Sequence, residues 1–218
     1  MDKKTVFQNL VAVGIVPVIR SSSAKNVLLA IKALMEGGIP VAEVTMTVPN
    51  ALAAIEECAR EFGGHLTLGA GTVTDEETCR KAIEAGSQFI VTPSVKTDII
   101  RICVQNDVCV IGGALTPTEI LTVWEAGAAA VKVFPAKAVG GPAYLRMIRE
   151  PLPHIPLVPT GGVTLETLPE YLGAGAAFVG AGGDLVNKGA VEAGKAELIT
   201  ERARQYVAAI RAARSGGR

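Results

Sequence analysis

Two hydrophobic rhythms alternate along the chain. Short runs rich in β-branched residues recur as "VAVGIVPVIR", "VAEVTM", "LTLGAG", "QFIVTP", "VCVIGG", "AAVKVF", "PLVPTG" and "AAFVGA". They predict eight strands. Between and after them, stretches near 23–36, 50–62, 75–85, 96–106, 117–126, 142–149, 165–173 and 195–213 read as helices. A phrase repeats at the junctions: "MEGGIPVAEVT" at 35–45, "EAGSQFIVTP" at 84–93, "EAGAAAVKVFP" at 125–135 and "LGAGAAFVGAG" at 172–182. Each runs from a helix end through a glycine suited to a left-handed cap and directly into a strand. Two helix starts fit the capping box, Thr74 with Glu77 and Thr116 with Glu119, the second with Pro117 at the first helical position.

Strands alternating with helices imply a parallel sheet. Eight such units in a chain of 218 residues fit the (β/α)8 TIM barrel as one domain. The rival, a doubly wound open sheet, lacks its GxGxxG turn after the first strand. Residues 1–10 read as a lead-in and 214–218 as a frayed tail. The opening "MDKKTVFQNLVAVGIVPVIR" reads as a strand rather than a secretion signal, because Gly14, Pro17 and Arg20 interrupt it and no small-residue cleavage pattern follows.

Composition narrows the function classes. Basic and acidic side chains balance at 21 each, which gives no electrostatic reason to expect nucleic acid, and no apolar run is long enough for a membrane span. Cys58, Cys79, Cys103 and Cys109 show no paired spacing and read as reduced, buried thiols of a cytoplasmic protein. His65 and His154 stand apart near predicted loops, so no metal centre is expected.

Candidate chemistry belongs at the C-terminal ends of the strands. In "AAAVKVFP", Ala130, Lys132 and Phe134 share one face and Val131 and Val133 the other. With the valines packed outward, Lys132 points into the lumen, where desolvation favours the neutral amine that a nucleophile requires. In "VAEVTMTVPN", Val41, Glu43, Thr45 and Thr47 share the lumen face. Glu43 is then either a counter-ion for Lys132 or a proton shuttle for imine chemistry. Two glycine-rich turns, "PTGGVT" at 159–164 and "GAGGDL" at 180–185, follow the last two strands. With helix N-termini behind them they read as an anion site. Glu119, Glu125 and Lys137 read as capping or solvated surface residues.

With "EVTMTVPN", "GAGTV", "VKVFPA" and "PTGGV" in this order, the chain resembles the 2-keto-3-deoxy-6-phosphogluconate (KDPG) aldolases, also known as 4-hydroxy-2-oxoglutarate (KHG) aldolases, from about residue 5 to residue 212. The resemblance implies a metal-free class I lyase without cofactor, acting on a small 2-keto acid, and a homotrimer. It makes Lys132 the Schiff-base lysine and Glu43 the general acid/base. Thr72 matches the pyruvate-binding threonine, Pro93 and Phe134 line the pocket, and Arg20 is an anion contact. Gly161, Gly162, Gly182 and Gly183 hold phosphate. Two positions depart from the family pattern. Thr47 stands where many members carry a carboxylate-binding arginine, and Gly183, followed by Asp184, where a serine often meets phosphate. Alternative substrates are KHG and the galactonate epimer of KDPG. Outside this chemistry stand a non-catalytic trimeric scaffold with Lys132 and Glu43 as an ion pair, and a phosphate-binding isomerase or synthase.

Overall fold

A computed structural model describes residues 1–215. Eight parallel strands form one sheet: β1 (Ile15–Ile19), β2 (Val41–Thr45), β3 (Thr67–Gly71), β4 (Phe89–Val91), β5 (Cys109–Ala114), β6 (Ala130–Val133), β7 (Leu157–Pro159) and β8 (Val179–Ala181). From β1 to β7 each strand pairs with its sequence neighbour, and β8 returns to β1 through Ile15↔Val179, Val16↔Gly180 and Pro17↔Ala181. The seam between β7 and β8 is closed by the bridge Thr160↔Gly180 and by the Ala177 N–H donating to Leu157 O at 2.9 Å. The strands are buried on both faces, as sheets wrapped by crossover helices must be.

The helices are α1 (Lys3–Val13), α2 (Ala24–Glu36), α3 (Ala51–Phe62), α4 (Glu76–Glu84), α5 (Thr97–Gln105), α6 (Pro117–Glu125), α7 (Pro142–Arg149), α8 (Leu168–Gly173), α9 (Lys188–Glu192) and α10 (Ala196–Ser215). Their buried positions follow the three-and-four spacing of an inward stripe, as Val27, Ala30, Ile31 and Leu34 do on α2 and Ile199, Ala203, Tyr206 and Ile210 do on α10. Gly38, Gly86, Gly127 and Gly175 in the four repeated junctions all take positive φ, the left-handed geometry expected of them.

Three expectations are corrected. The lead-in is helix α1: Asp2 accepts from the Thr5 N–H at 2.9 Å, Gly14 ends the helix at φ 83°, and Val6 and Leu10 are buried one turn apart. Its apolar run has strand-forming valines, but these two stops and the four-residue spacing decide for helix. Phe7 of α1 meets Phe178, just before β8, edge to face at 6.4 Å, so α1 closes the N-terminal end of the barrel. At α4 the cap is Asp75, accepting from the Thr78 N–H at 2.8 Å, and not Thr74. Thr116 and Glu119 do form the capping box on α6. The C-terminal helix continues through Ser215, so of the expected frayed tail only 216–218 lie outside the described residues.

The four thiols are unbridged and buried, three on helices and Cys109 on β5. Among the described residues, no helix is long and apolar enough to cross a membrane.

Candidate active site

The strand registers place the lumen residues. Lys132 stands level with Gly113 of β5 and Val158 of β7, while Glu43 stands level with Val18 of β1 and Gly69 of β3. Val131 and Val133 are fully buried on the opposite face of β6, so Lys132 points inward as the alternation predicts. Glu43 is 3% exposed and Lys132 5%.

The two do not form an ion pair. Glu43 Oε1 is buried without any hydrogen-bond partner. Lys132 Nζ likewise donates to no protein acceptor among the described residues; its near neighbour is the Phe134 ring, 5.2 Å from Nζ to the centroid. Burial pushes the Glu43 carboxyl above its ordinary range, against the pull of the positive charges on Lys132 and Arg20. That electrostatic reach joins the end of β1, the middle of β2 and the middle of β6 across one lumen. A structural pair would satisfy itself, since an unpaired buried polar atom costs on the order of 1–3 kcal/mol. The counter-ion alternative is thus not what the geometry shows.

Glycine makes the room. A Cβ on Gly71 would fall 1.8 Å from Glu43 Oε1, so the carboxylate lies directly on the β3 backbone. A Cβ on Gly113 would fall 2.4 Å from both the Pro93 carbonyl carbon and Ser94 N. The loop after β4 therefore folds over β5 beside Lys132. Thr92 fixes that loop, accepting from the Gly113 N–H at 2.9 Å and donating to Ser94 O at 2.8 Å. Gly71, Thr92 and Gly113 escape the sequence reading, because the steric need for glycine arises between strands.

The remaining predicted residues ring the mouth. Thr72, directly after β3, is half-buried and takes φ 59°, a strained conformation for a β-branched residue. Its hydroxyl has no protein partner among the described residues. Arg20 is exposed at the end of β1, and Pro93 and Phe134 are partly covered. Thr47 is exposed, 2.6 Å between its Oγ1 and that of Thr45. Because Thr45 spends its single proton on Ile19 O at 3.1 Å, Thr47 must donate to Thr45 and has no proton left for a carboxylate. Arg20 is thereby the cationic group at this rim.

The two glycine turns stand side by side through the Thr160↔Gly180 bridge. Gly161 and Gly162 take φ 88° and 83°. Among the described residues, the amides of Gly162, Gly182 and Gly183 donate to no backbone acceptor, and the bonds at these turns run from other donors. Helix N-termini do not contribute as expected: α8 starts only at Leu168 and α9, of five residues, only at Lys188. Of the features expected there, the glycine amides remain and the helix N-termini do not.

Asp184 turns away from the mouth. It accepts from Arg202 Nη2 at 2.9 and 2.8 Å, from the Leu165 N–H at 3.2 Å and from the Tyr206 hydroxyl. Burial by itself would raise the Asp184 carboxyl, but the bonds from Tyr206 and Arg202 outweigh it and hold it below the ordinary range. The carboxylate thus ties both glycine turns to α10. A hollow of about 400 Å³ lined by Asp184, Leu198, Ile199 and Arg202 opens behind the turn and touches neither Lys132 nor Glu43. Among the described residues, no three His, Cys, Asp or Glu side chains gather where they could hold a metal ion.

Known proteins carry the same pattern. The KDPG and KHG aldolase family model matches residues 6–202. A 2-dehydro-3-deoxy-phosphogluconate aldolase of Pseudomonas aeruginosa is 37% identical over 72% of this chain and 71% of its own. The enzyme of that name from Treponema pallidum is 33% identical over 92% of this chain and 95% of its own. Among solved structures, the KDPG aldolase of Legionella pneumophila, with pyruvate captured as a covalent carbinolamine intermediate, superposes with a TM-score of 0.85. It is 29% identical, covering 91% of this chain and 96% of that one.

Proposed function

The chain belongs to the KDPG and KHG aldolase family, and from this premise we propose that it cleaves KDPG to pyruvate and glyceraldehyde 3-phosphate through an imine on Lys132. The observation that carries the proposal is an amine and a carboxyl, buried in one lumen and committed to no partner.

In this reading the Lys132 amine attacks the C2 ketone. Glu43, whose raised affinity for its proton suits a donor, passes protons through the carbinolamine, and water leaves to give the iminium. The iminium draws the C3–C4 bonding pair towards nitrogen as Glu43 takes the proton of the C4 hydroxyl. Glyceraldehyde 3-phosphate departs, the enamine is protonated at C3, and water releases pyruvate. Thr72 would hold the pyruvyl carboxylate with Arg20, Pro93 and Phe134 would wall the pocket, and the amides of Gly161, Gly162, Gly182 and Gly183 would take the phosphoryl group. Metal independence belongs to the proposal, because the iminium itself supplies the electron sink. So do a homotrimer and a cytoplasmic setting.

Borohydride reduction in the presence of pyruvate and a chelator tests this reading. The expected product is a stable adduct on Lys132 identified by mass spectrometry, absent in Lys132→Ala, with turnover of that variant abolished. Folded wild-type protein that forms no adduct would favour the scaffold reading instead. KHG, the second substrate in the family's description, passes through the same steps, and assays of both keto acids on one preparation rank them.

A further inference from the structure

Lys137 is exposed, as its sequence suggested, but its stem is held against the first glycine loop. It lies on a short 3-10 turn, Ala136–Val139, that leaves β6 soon after Lys132. Two backbone bonds fasten this turn to the first glycine loop: the Ala136 N–H donates to Thr160 O at 2.9 Å and the Lys137 N–H to Gly161 O at 3.1 Å. A Cβ at Gly162 would fall 2.4 Å from Lys137 Cβ, 2.6 Å from its Cδ and 3.0 Å from its Cγ. The lysine stem therefore runs flat across Gly162, and its ammonium sits two bonds beyond an atom in contact with the turn. Any side chain at 162 would displace it.

The surroundings leave that charge uncompensated. Among the described residues, no carboxylate forms an ion pair with Lys137. Asp184, the one acid within the two turns, is already neutralised by Arg202. Cβ atoms built on Gly182 and Gly183 would meet nothing within 4 Å, so the space over the second turn is open. Phe134 separates this region from the reacting amine, its ring 5.2 Å from Lys132 Nζ and 3.2 Å from a Cβ built on Gly161.

We propose that Lys137 is the cation that binds the distal phosphoryl group and gives this chain its preference for phosphorylated over unphosphorylated 2-keto acids. The inference rests on the aldolase reading above and deepens it. The free amides of the two turns can donate to phosphate oxygens, but they carry only partial charge. A dianion gains much more than a carboxylate from one full positive charge at the same place, because ammonium–phosphate bonds are charge-assisted on both sides. The residue thus separates substrates by their terminal group without touching the bond that breaks.

The test compares wild type, Lys137→Met, which keeps the stem and removes the charge, and Lys137→Arg, which restores charge. Steady-state constants are measured on KDPG and on KHG at fixed ionic strength, and inorganic phosphate binding is titrated by calorimetry. In Lys137→Met the ratio of kcat/KM for KDPG over KHG falls about fivefold or more, mainly through KM, and phosphate binding weakens by a similar factor. Lys137→Arg recovers most of both losses. A ratio that moves less than twofold, an equal fall on both substrates, or no recovery with arginine overturns the assignment. The phosphate arm does not depend on turnover: a wild type without aldolase activity refutes the aldolase reading, whereas phosphate binding that is undetectable in wild type, or that is unchanged in Lys137→Met, refutes the role of Lys137.

Discussion

Gly71→Ala adds one methyl group where the site has no space for it. The new Cβ would fall 1.8 Å from Glu43 Oε1, 2.4 Å from Cδ and 2.6 Å from Cγ. Contact between such atoms needs about 3.5 Å, so the carboxylate must retreat by more than about 1 Å. Gly71 lies within β3 and not among the glycines of positive φ, so alanine brings no backbone strain and the effect is steric. Overpacking of this kind costs about 1–3 kcal/mol, a fall in Tm of roughly 3–10 °C for a chain of this size. The catalytic loss is larger: misplacing a proton-transfer group by about 1 Å costs on the order of 100-fold in kcat. Pyruvate release followed through a coupled dehydrogenase gives kcat, and differential scanning calorimetry gives Tm. Gly69→Ala is the comparator, because its Cβ would strike the Phe89 ring at 2.3 Å and leave Glu43 in place. It should lose similar stability with a much smaller loss of kcat. A Gly71→Ala protein that keeps kcat within threefold of wild type, or equal kcat losses in both variants, refutes the reasoning.

Two further outcomes follow from Glu43 and Asp184. Glu43 has its carboxyl raised above the ordinary 4.5, so the folded state holds that proton more tightly than the unfolded chain. Wild-type stability contributed by this group is therefore complete below 4.5 and is lost as pH rises through the raised value. Glu43→Gln should abolish most turnover, flatten that pH slope and equal or exceed wild type in urea midpoint at pH 8; an unchanged slope would count against a desolvated carboxyl. Asp184 is lowered instead, so its contribution is present above the ordinary aspartate value and lost as pH falls. With the side chain a quarter exposed, Asp184→Asn should cost about 1–2 kcal/mol at neutral pH and converge on wild type at low pH, read from urea midpoints. A penalty that persists in acid would place the effect in packing and not in the charge.

The barrel was largely legible because its signals are local. Each β-branched run, each helix stripe and each glycine junction is specified within about a dozen residues, and their eightfold alternation leaves few topologies. The inward aim of Lys132 and Glu43 followed for the same reason, since side-chain direction along a strand has period two. Element ends were harder. Valines at positions 11 and 13 favour strand by propensity, and the helix there is decided by its two caps and by Phe7 reaching Phe178. Thr74 and Asp75 are both able caps, so spacing alone could not choose between them.

What the sequence determined by itself was the number of strands, their parallel sense, the lumen face of the amine and the carboxyl, and the glycine turns suited to an anion. Tertiary structure alone decided that Lys132 and Glu43 remain unpaired, that Gly71 and Gly113 are spaces cut for a carboxylate and a loop, that Thr47 spends its proton on Thr45, and that Asp184 faces α10 while Lys137 lies over Gly162. The physical reason is range. Periodicity and capping act between residues a few positions apart, whereas each of these decisions is a contact between side chain and backbone, or between two side chains, that closure of the sheet brings together, and packing at that density leaves room for one arrangement.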